Sequence, residues 1–264
     1  MQPPPKVLAA FGTVDVPERL AGGRGATWRC GDLVLKPLDT SVEELEWQGA
    51  LFARLVGDGF RVPRLRGVHD GWCAWEYVPG EHRERVWPEV IAVGERFHAA
   101  IRDVPRPSFL DRRTNHWAIG ERVAWGELHA GDFARVKHVR RLLAALRPVD
   151  ESGSQLVHGD LTGNVLFAEG LPPAVINFSP YWRPTAFATA VVVGDALLWE
   201  GADASLLTAV EAVDDFPQHL LRALIFRAVV DALFRPAEPP RPDGDDCFFA
   251  PVELACRLVA RGLD

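Results

Sequence analysis

Asp160, Asn164 and Asn177 carry side chains that can do chemistry, and they lie close together in the chain. The first two sit in Leu156-Val157-His158-Gly159-Asp160-Leu161-Thr162-Gly163-Asn164-Val165-Leu166-Phe167, and the third in the following Val175-Ile176-Asn177-Phe178. Apolar runs flanking polar residues predict strand, loop, strand, turn, strand, with Asp160 and Asn164 on the loop and Asn177 at the mouth of the last strand. One carboxylate and two further oxygen-bearing side chains suit phosphoryl transfer from ATP. The carboxylate orients and deprotonates a hydroxyl, and the other oxygens hold magnesium on the phosphates. Asp160 and Asn164 have the expected types, but position 177 holds Asn where a carboxylate is expected. The amide keeps an oxygen donor and loses a charge worth on the order of several kcal/mol at metal-ligand distance in a partly desolvated site. Low activity, dependence on manganese, or no activity are all compatible with that residue.

Asp160 directly after Gly159 would, taken alone, read as the cap of an Asx turn. His158 before it and Asn164 after it turn the reading toward catalysis. The same residues carry a family likeness. His158-Gly159-Asp160-Leu161 with Asn164, followed by Ile176-Asn177-Phe178, resembles the catalytic loop and metal-binding turn of the aminoglycoside phosphotransferase and choline kinase family, which is protein-kinase-like. The run Asn177 to Pro184 resembles an actinobacterial phosphotransferase-like branch of it.

That resemblance implies an α+β, bilobal protein-kinase-like fold. A small β-rich N-terminal lobe over 1–79 would bind nucleotide, and a larger, mainly helical lobe over 80–264 would carry the catalytic loop and the acceptor. It implies ATP with Mg2+, or Mn2+, and a small-molecule hydroxyl as acceptor. It also distributes roles. Asp160 would be the catalytic residue and Asn164 and Asn177 the metal ligands. His158 would support the loop by bonding its backbone, and Asp195 would be a second structural residue.

Lys36 closes the apolar run Leu33-Val34-Leu35 in a chain with three lysines, Lys6, Lys36 and Lys137. A compact ammonium suits phosphates better than a planar guanidinium, and Lys36 matches the strand lysine that grips ATP in kinase-like folds. Its partner by resemblance is a glutamate on the next helix. Glu43, Glu44 and Glu46 are candidates, and Glu46 fits the family's spacing best. The glycine-rich Gly22-Gly23-Arg24-Gly25 before the strand is neither GxGxxG nor a Walker A loop. Its position makes Gly23 and Gly25 candidates for folding over phosphates. Trp75-Glu76-Tyr77-Val78-Pro79-Gly80 would form the hinge, with backbone groups near Glu76 and Val78 facing adenine.

These residues need elements to hold them. Short apolar runs broken by glycine over 7–38 predict antiparallel hairpins. Helical spacing behind the Thr40/Ser41 cap predicts a helix to Val56, and strands are expected over 62–68 and 72–78. Helical periodicity follows at 88–101, 133–146, 184–199, 205–213, 217–234 and 251–263. Pro236 to Asp246 reads as a surface loop.

A chain of 264 residues, 48% hydrophobic, can bury one large core or two modest ones. The absence of a long apolar run or signal pattern predicts a cytoplasmic protein with no membrane partner. A net charge of −7 argues against nucleic acid. Cys30, Cys73, Cys247 and Cys256 have no metal-ligand or disulfide spacing. The leading expectation is ATP-dependent phosphorylation of a small-molecule hydroxyl. A pseudokinase acting as a binding module is the alternative, and a kinase of a peptide Ser or Thr in a biosynthetic pathway is the third.

Overall fold

The computed structural model describes residues 1–20, 25–55, 59–131, 133, 137–235 and 246–261. The chain packs as two compact units, Met1–Arg83 with Gly163–Phe178, and Glu84–Thr162 with Ser179–Asp264.

In the first unit a short helix, α1 (Pro5–Ala10), precedes strands β1 (Glu18–Arg19), β2 (Trp28–Cys30) and β3 (Leu33–Pro37), helix α2 (Val42–Phe52), and strands β4 (Leu65–His69) and β5 (Trp72–Glu76). The strands form one sheet in the order β1-β2-β3-β5-β4, with antiparallel neighbours throughout. Period-two alternation turns Leu35, Trp72 and Ala74 to one face, where they join Cys30 and Val7 of α1 in a core edged by Leu8, Phe11, Trp28 and Leu33. Helix α2 begins where Ser41 Oγ accepts from the Glu44 amide at 3.2 Å, and Glu43 and Glu44 complement the dipole of its first turn. It ends at Phe52, earlier than the periodicity suggests.

The hairpin of β7 (Val165–Ala168) and β8 (Leu171–Val175) belongs to this unit as well. The Arg61 amide donates to Pro173 O, and the Val175 amide to Arg61 O, both at 2.8 Å, while Glu81 and Phe167 exchange two bonds of 2.9 Å. These main-chain bonds, near both ends of the hairpin, fix where Asn164 and Asn177 emerge.

The second unit holds helices α3 (Trp87–Ala100), α4 (Phe109–Arg112), α5 (His116–Ala124) and α6 (Lys137–Ala145), then the pair β6 (Gln155–His158) and β9 (Pro180–Arg183). Helices α7 (Thr185–Trp199), α8 (Phe216–Phe234) and α9 (Phe249–Arg261) follow, with a 3-10 helix over Ala204–Val210 between α7 and α8. Helix α8 is the axis on which α5, α6, α7 and α9 pack, and its Leu220, Leu221, Leu224, Ile225, Phe226 and Val229 are fully buried. The apolar run of α7 is buried from Phe187 to Ala196, and no described helix is long and apolar enough to cross a membrane.

Periodicity overlooks α5, because nine residues interrupted by Gly120 are too short for the pattern to stand out. Asn115 Oδ1 starts this helix by accepting from the Ala118 amide at 2.9 Å. The α-helix expected over 205–213 is instead the tighter 3-10 turn, where Asp203 Oδ1 takes the Ser205 amide at 2.8 Å.

Candidate active site

The loop after β6 is held by histidines. His158 ends the strand with no exposure, and its Nδ1 accepts from the Asp160 amide at 3.1 Å. His98, on α3, accepts from the His158 amide through Nε2 at 3.0 Å. Each histidine therefore offers a bare ring nitrogen to a backbone donor, which fixes its tautomer. Burial, aided by the neighbouring His158, pushes the His98 pKa down to about 3. Gln155 Nε2 bonds His98 O at 2.8 Å and ties α3 to the base of the loop. Gly159 permits the turn, since a Cβ there would lie 2.4 Å from Cδ2 of the buried Tyr181 ring on β9.

Asp160 meets a charged network within the second unit. Arg227 of α8 donates from Nη2 to Asp160 Oδ1 at 2.6 Å and to Asp195 Oδ2 at 2.6 Å, and from Nε to Asp195 Oδ1 at 2.7 Å. Arg227 and Asp195 are 4% and 2% exposed, while the side chain of Asp160 retains 32% of its accessibility. Two carboxylates share one guanidinium, a net negative charge in a buried setting. Burial accordingly pushes the Asp195 carboxyl up to about 6, against the opposing pull of Arg227.

In the first unit, Lys36 of β3 donates from Nζ to Asn177 Oδ1 at 3.0 Å, and Asp39 Oδ1 lies 4.0 Å from the same nitrogen. Asn177 adopts φ +50°, a left-handed conformation that Asn accommodates readily. The following Phe178 stacks at 6.4 Å on Trp47 and packs tilted at 5.9 Å against Phe52, both of α2. The Ile176 amide bonds Asn164 O at 3.0 Å, so the two asparagines are positioned by the same hairpin.

Of the other candidates, Glu46 lies on the exposed face of α2. Glu44 is buried there, accepting from Thr40 Oγ1 at 2.6 Å and Gln48 Nε2 at 3.1 Å. Gly25 has φ +69°, and its carbonyl accepts from Arg19 Nε at 2.9 Å; Gly23 is outside the described residues. Glu76 closes β5, its amide donating to Arg64 O at 2.8 Å, and Val78 follows in the connecting loop.

Two contributors escape sequence reading. His98 leaves no signal, since a histidine in a helix resembles any other. Arg227 could have been flagged, because an arginine within Leu220-Leu221-Arg222-Ala223-Leu224-Ile225-Phe226-Arg227-Ala228-Val229-Val230 must find a carboxylate if the helix is buried.

Residues 16–179, more than half the chain, match the phosphotransferase enzyme family. The chain belongs to that family. No curated protein matches the sequence. Among solved structures, this phosphotransferase-family chain is similar to choline kinase LicA from Streptococcus pneumoniae, at TM-score 0.60 and 10% identity over 97% of each chain. It is similar to a thermostable mutant of aminoglycoside phosphotransferase APH(4)-Ia in ternary complex with ADP and hygromycin B, at TM-score 0.60 and 14% identity over 97% of each chain. Spectinomycin phosphotransferase APH(9)-Ia, in complex with ADP and spectinomycin, is similar at TM-score 0.57 and 12% identity over 95% of each chain. At such identities the likeness is one of fold, which is the α+β, kinase-like fold expected from the loop.

Proposed function

We propose that this family member transfers the γ-phosphate of ATP to a hydroxyl of a small molecule, with Asp160 as the catalytic residue. The observation carrying the reading is a partly exposed carboxylate, Asp160, whose backbone is set by His158 and whose side chain is set by Arg227. The acceptor oxygen attacks the γ-phosphorus as the bond to the β-phosphate oxygen breaks, and the hydroxyl proton passes to Asp160. In a loose transition state this carboxylate acts more by placing the hydroxyl than by strong basicity.

Lys36 would contact the phosphates, and Asn164 and Asn177 would supply oxygens to a magnesium ion, whose role when bound is to neutralise phosphate charge. The donor set suits a hard cation that keeps several waters. Both amides are neutral, and among the described residues no group of three His, Cys, Asp or Glu could hold a metal. The negative charge that binds the ion would come largely from the nucleotide. Lys36 at 3.0 Å from Asn177 Oδ1 competes for one of the two oxygens.

That contact also favours a second reading, a nucleotide-binding module without transfer. One experiment separates them: γ-labelled ATP, Mg2+ or Mn2+, and a panel of hydroxylated metabolites, with ATP affinity measured in parallel by calorimetry. Label should reach an acceptor with the wild-type chain, and Asp160→Ala should abolish transfer while ATP affinity stays within about twofold. Clear ATP binding with no labelled acceptor would establish the binding module. Loss of ATP affinity in step with activity would remove Asp160 from its assigned role.

A further inference from the structure

The bond from Arg227 to Asp160 joins residues 67 positions apart and lies beyond what the fold of α8 requires. Asp195 alone, accepting from both Nε and Nη2, already gives Arg227 a two-point partner and closes α7 onto α8. The guanidinium nevertheless extends to the loop. It is packed among aromatic rings, with its Cζ 4.9 Å from the centroid of Phe226, 5.6 Å from Trp117 and 5.7 Å from Trp199. A planar fork gripped at two edges and walled by rings has little freedom to turn.

We infer that Arg227 is a positioning residue for phosphoryl transfer: it holds Oδ1 of Asp160, fixes the plane of that carboxylate, and makes its two oxygens inequivalent toward the acceptor hydroxyl. Free rotation about the Cβ–Cγ bond would exchange the oxygens and blur the line of attack. With Oδ1 tied to a buried cation, that rotation requires breaking a charge-assisted bond. Asp195 is the anchor that keeps the guanidinium in place. Because the transition state asks of Asp160 mainly orientation, the holder of that orientation controls the rate more than the affinity for ATP. This inference rests on the phosphotransferase reading for its kinetic consequence, and on the Arg227–Asp160 contact for its structural one.

The test uses the full chain with Arg227→Lys and with the double change Arg227→Met plus Asp195→Asn. The double variant removes the buried cation together with its anchoring anion, so that neither charge is stranded. Circular dichroism and thermal melts establish folding, and label transfer from γ-labelled ATP gives kcat and the KM for ATP. Both variants should lose ~10- to 100-fold in kcat while the KM and calorimetric affinity for ATP stay within about twofold. A folded variant with wild-type kcat overturns the inference. So does a fall in ATP affinity parallel to the fall in rate, which would make Arg227 structural.

A second readout is independent of turnover: the side-chain nitrogen resonances of Arg227 in wild type and in Asp160→Asn. Loss of the carboxylate should shift the Nη signals more than Nε, which stays on Asp195. Unmoved Nη signals overturn the inference whatever the activity. If wild type transfers no phosphate to any acceptor, the phosphotransferase reading fails, while shifted Nη signals uphold Arg227 as the residue that fixes Asp160.

Discussion

In the proposed reading, position 177 would decide how much charge the first unit brings to a nucleotide. Lys36 donates to a neutral amide there, a weaker bond than one to a carboxylate. Asn177→Asp should turn it into an ion pair and add a charged metal ligand. Both side chains tolerate φ +50°, so the change leaves the turn unstrained. The magnesium concentration giving half-maximal ATP affinity should fall about tenfold, equivalent to ~1.4 kcal/mol. An active wild type should also turn over faster, because charge on the metal offsets charge developing on the phosphates. Titration of magnesium against ATP affinity and label transfer measures both effects. An unchanged magnesium dependence would remove Asn177 from the metal. Tighter magnesium with no transfer would support the binding-module reading.

At the scale of elements, the packing of α5 on α8 sets the wall behind the Asp160 network, since α8 carries Arg227 and α5 carries Trp117, against which Arg227 rests. The close approach depends on Gly120, where a Cβ would fall 2.7 Å from Val230 Cγ2 and 3.0 Å from the carbonyl oxygen of Phe226. Gly120→Ala gains ~1 kcal/mol of helix propensity. Against that stands an overpacking cost of ~1–3 kcal/mol. The contact with a backbone oxygen cannot be relieved by a rotamer change, so overpacking should win, with a net loss of ~1 kcal/mol in urea unfolding. A midpoint equal to or above wild type would mean that the two helices separate at no cost.

For the whole molecule, buried titratable groups dictate the response to acid. Burial lowers the His98 pKa to about 3, and burial with the nearby Arg222 lowers that of His219 to about 4. Both histidines stay neutral in the folded chain while the unfolded chain protonates them near pH 6.5. Their contribution is therefore complete above pH 6.5 and is lost as the pH falls toward 3 to 4. Asp195 acts in the opposite sense. Its folded value of about 6 exceeds the unfolded value, so its contribution is present below pH 4 and lost as the pH rises through 6. Between pH 6 and 4 the two histidines lose stability on acidification, whereas Asp195 and Glu121, whose carboxyl burial also raises, gain it; the histidine shifts are the larger, so the net slope is downward toward acid. Urea unfolding at pH 7, 6, 5 and 4 should show stability falling through this range. Replacing His219 with Gln should flatten the slope, and an unchanged slope would show that His219 does not titrate on unfolding.

The sequence by itself determined the family, because the motif that carries it sets Asp160 and Asn164 four residues apart between apolar runs that form the strands on either side. It also determined the helical character of α7 and α8, whose apolar runs are too long for strands. Only the tertiary structure decided which distant residues meet. Lys36 reaches Asn177 across 141 positions, and Arg227 reaches Asp160 across 67. Neither separation has a local signature: a lysine ending a strand is compatible with solvent, and the apolar run around Arg227 asks for a carboxylate without saying which one. The same holds for His98, whose bond to the His158 amide spans 60 positions, and for the hairpin of Gly163–Phe178, which main-chain bonds at Arg61 and Glu81 attach to the first unit. Burial and hydrogen bonding act between groups brought close in space, whereas sequence periodicity reports only the face a residue occupies on its own element.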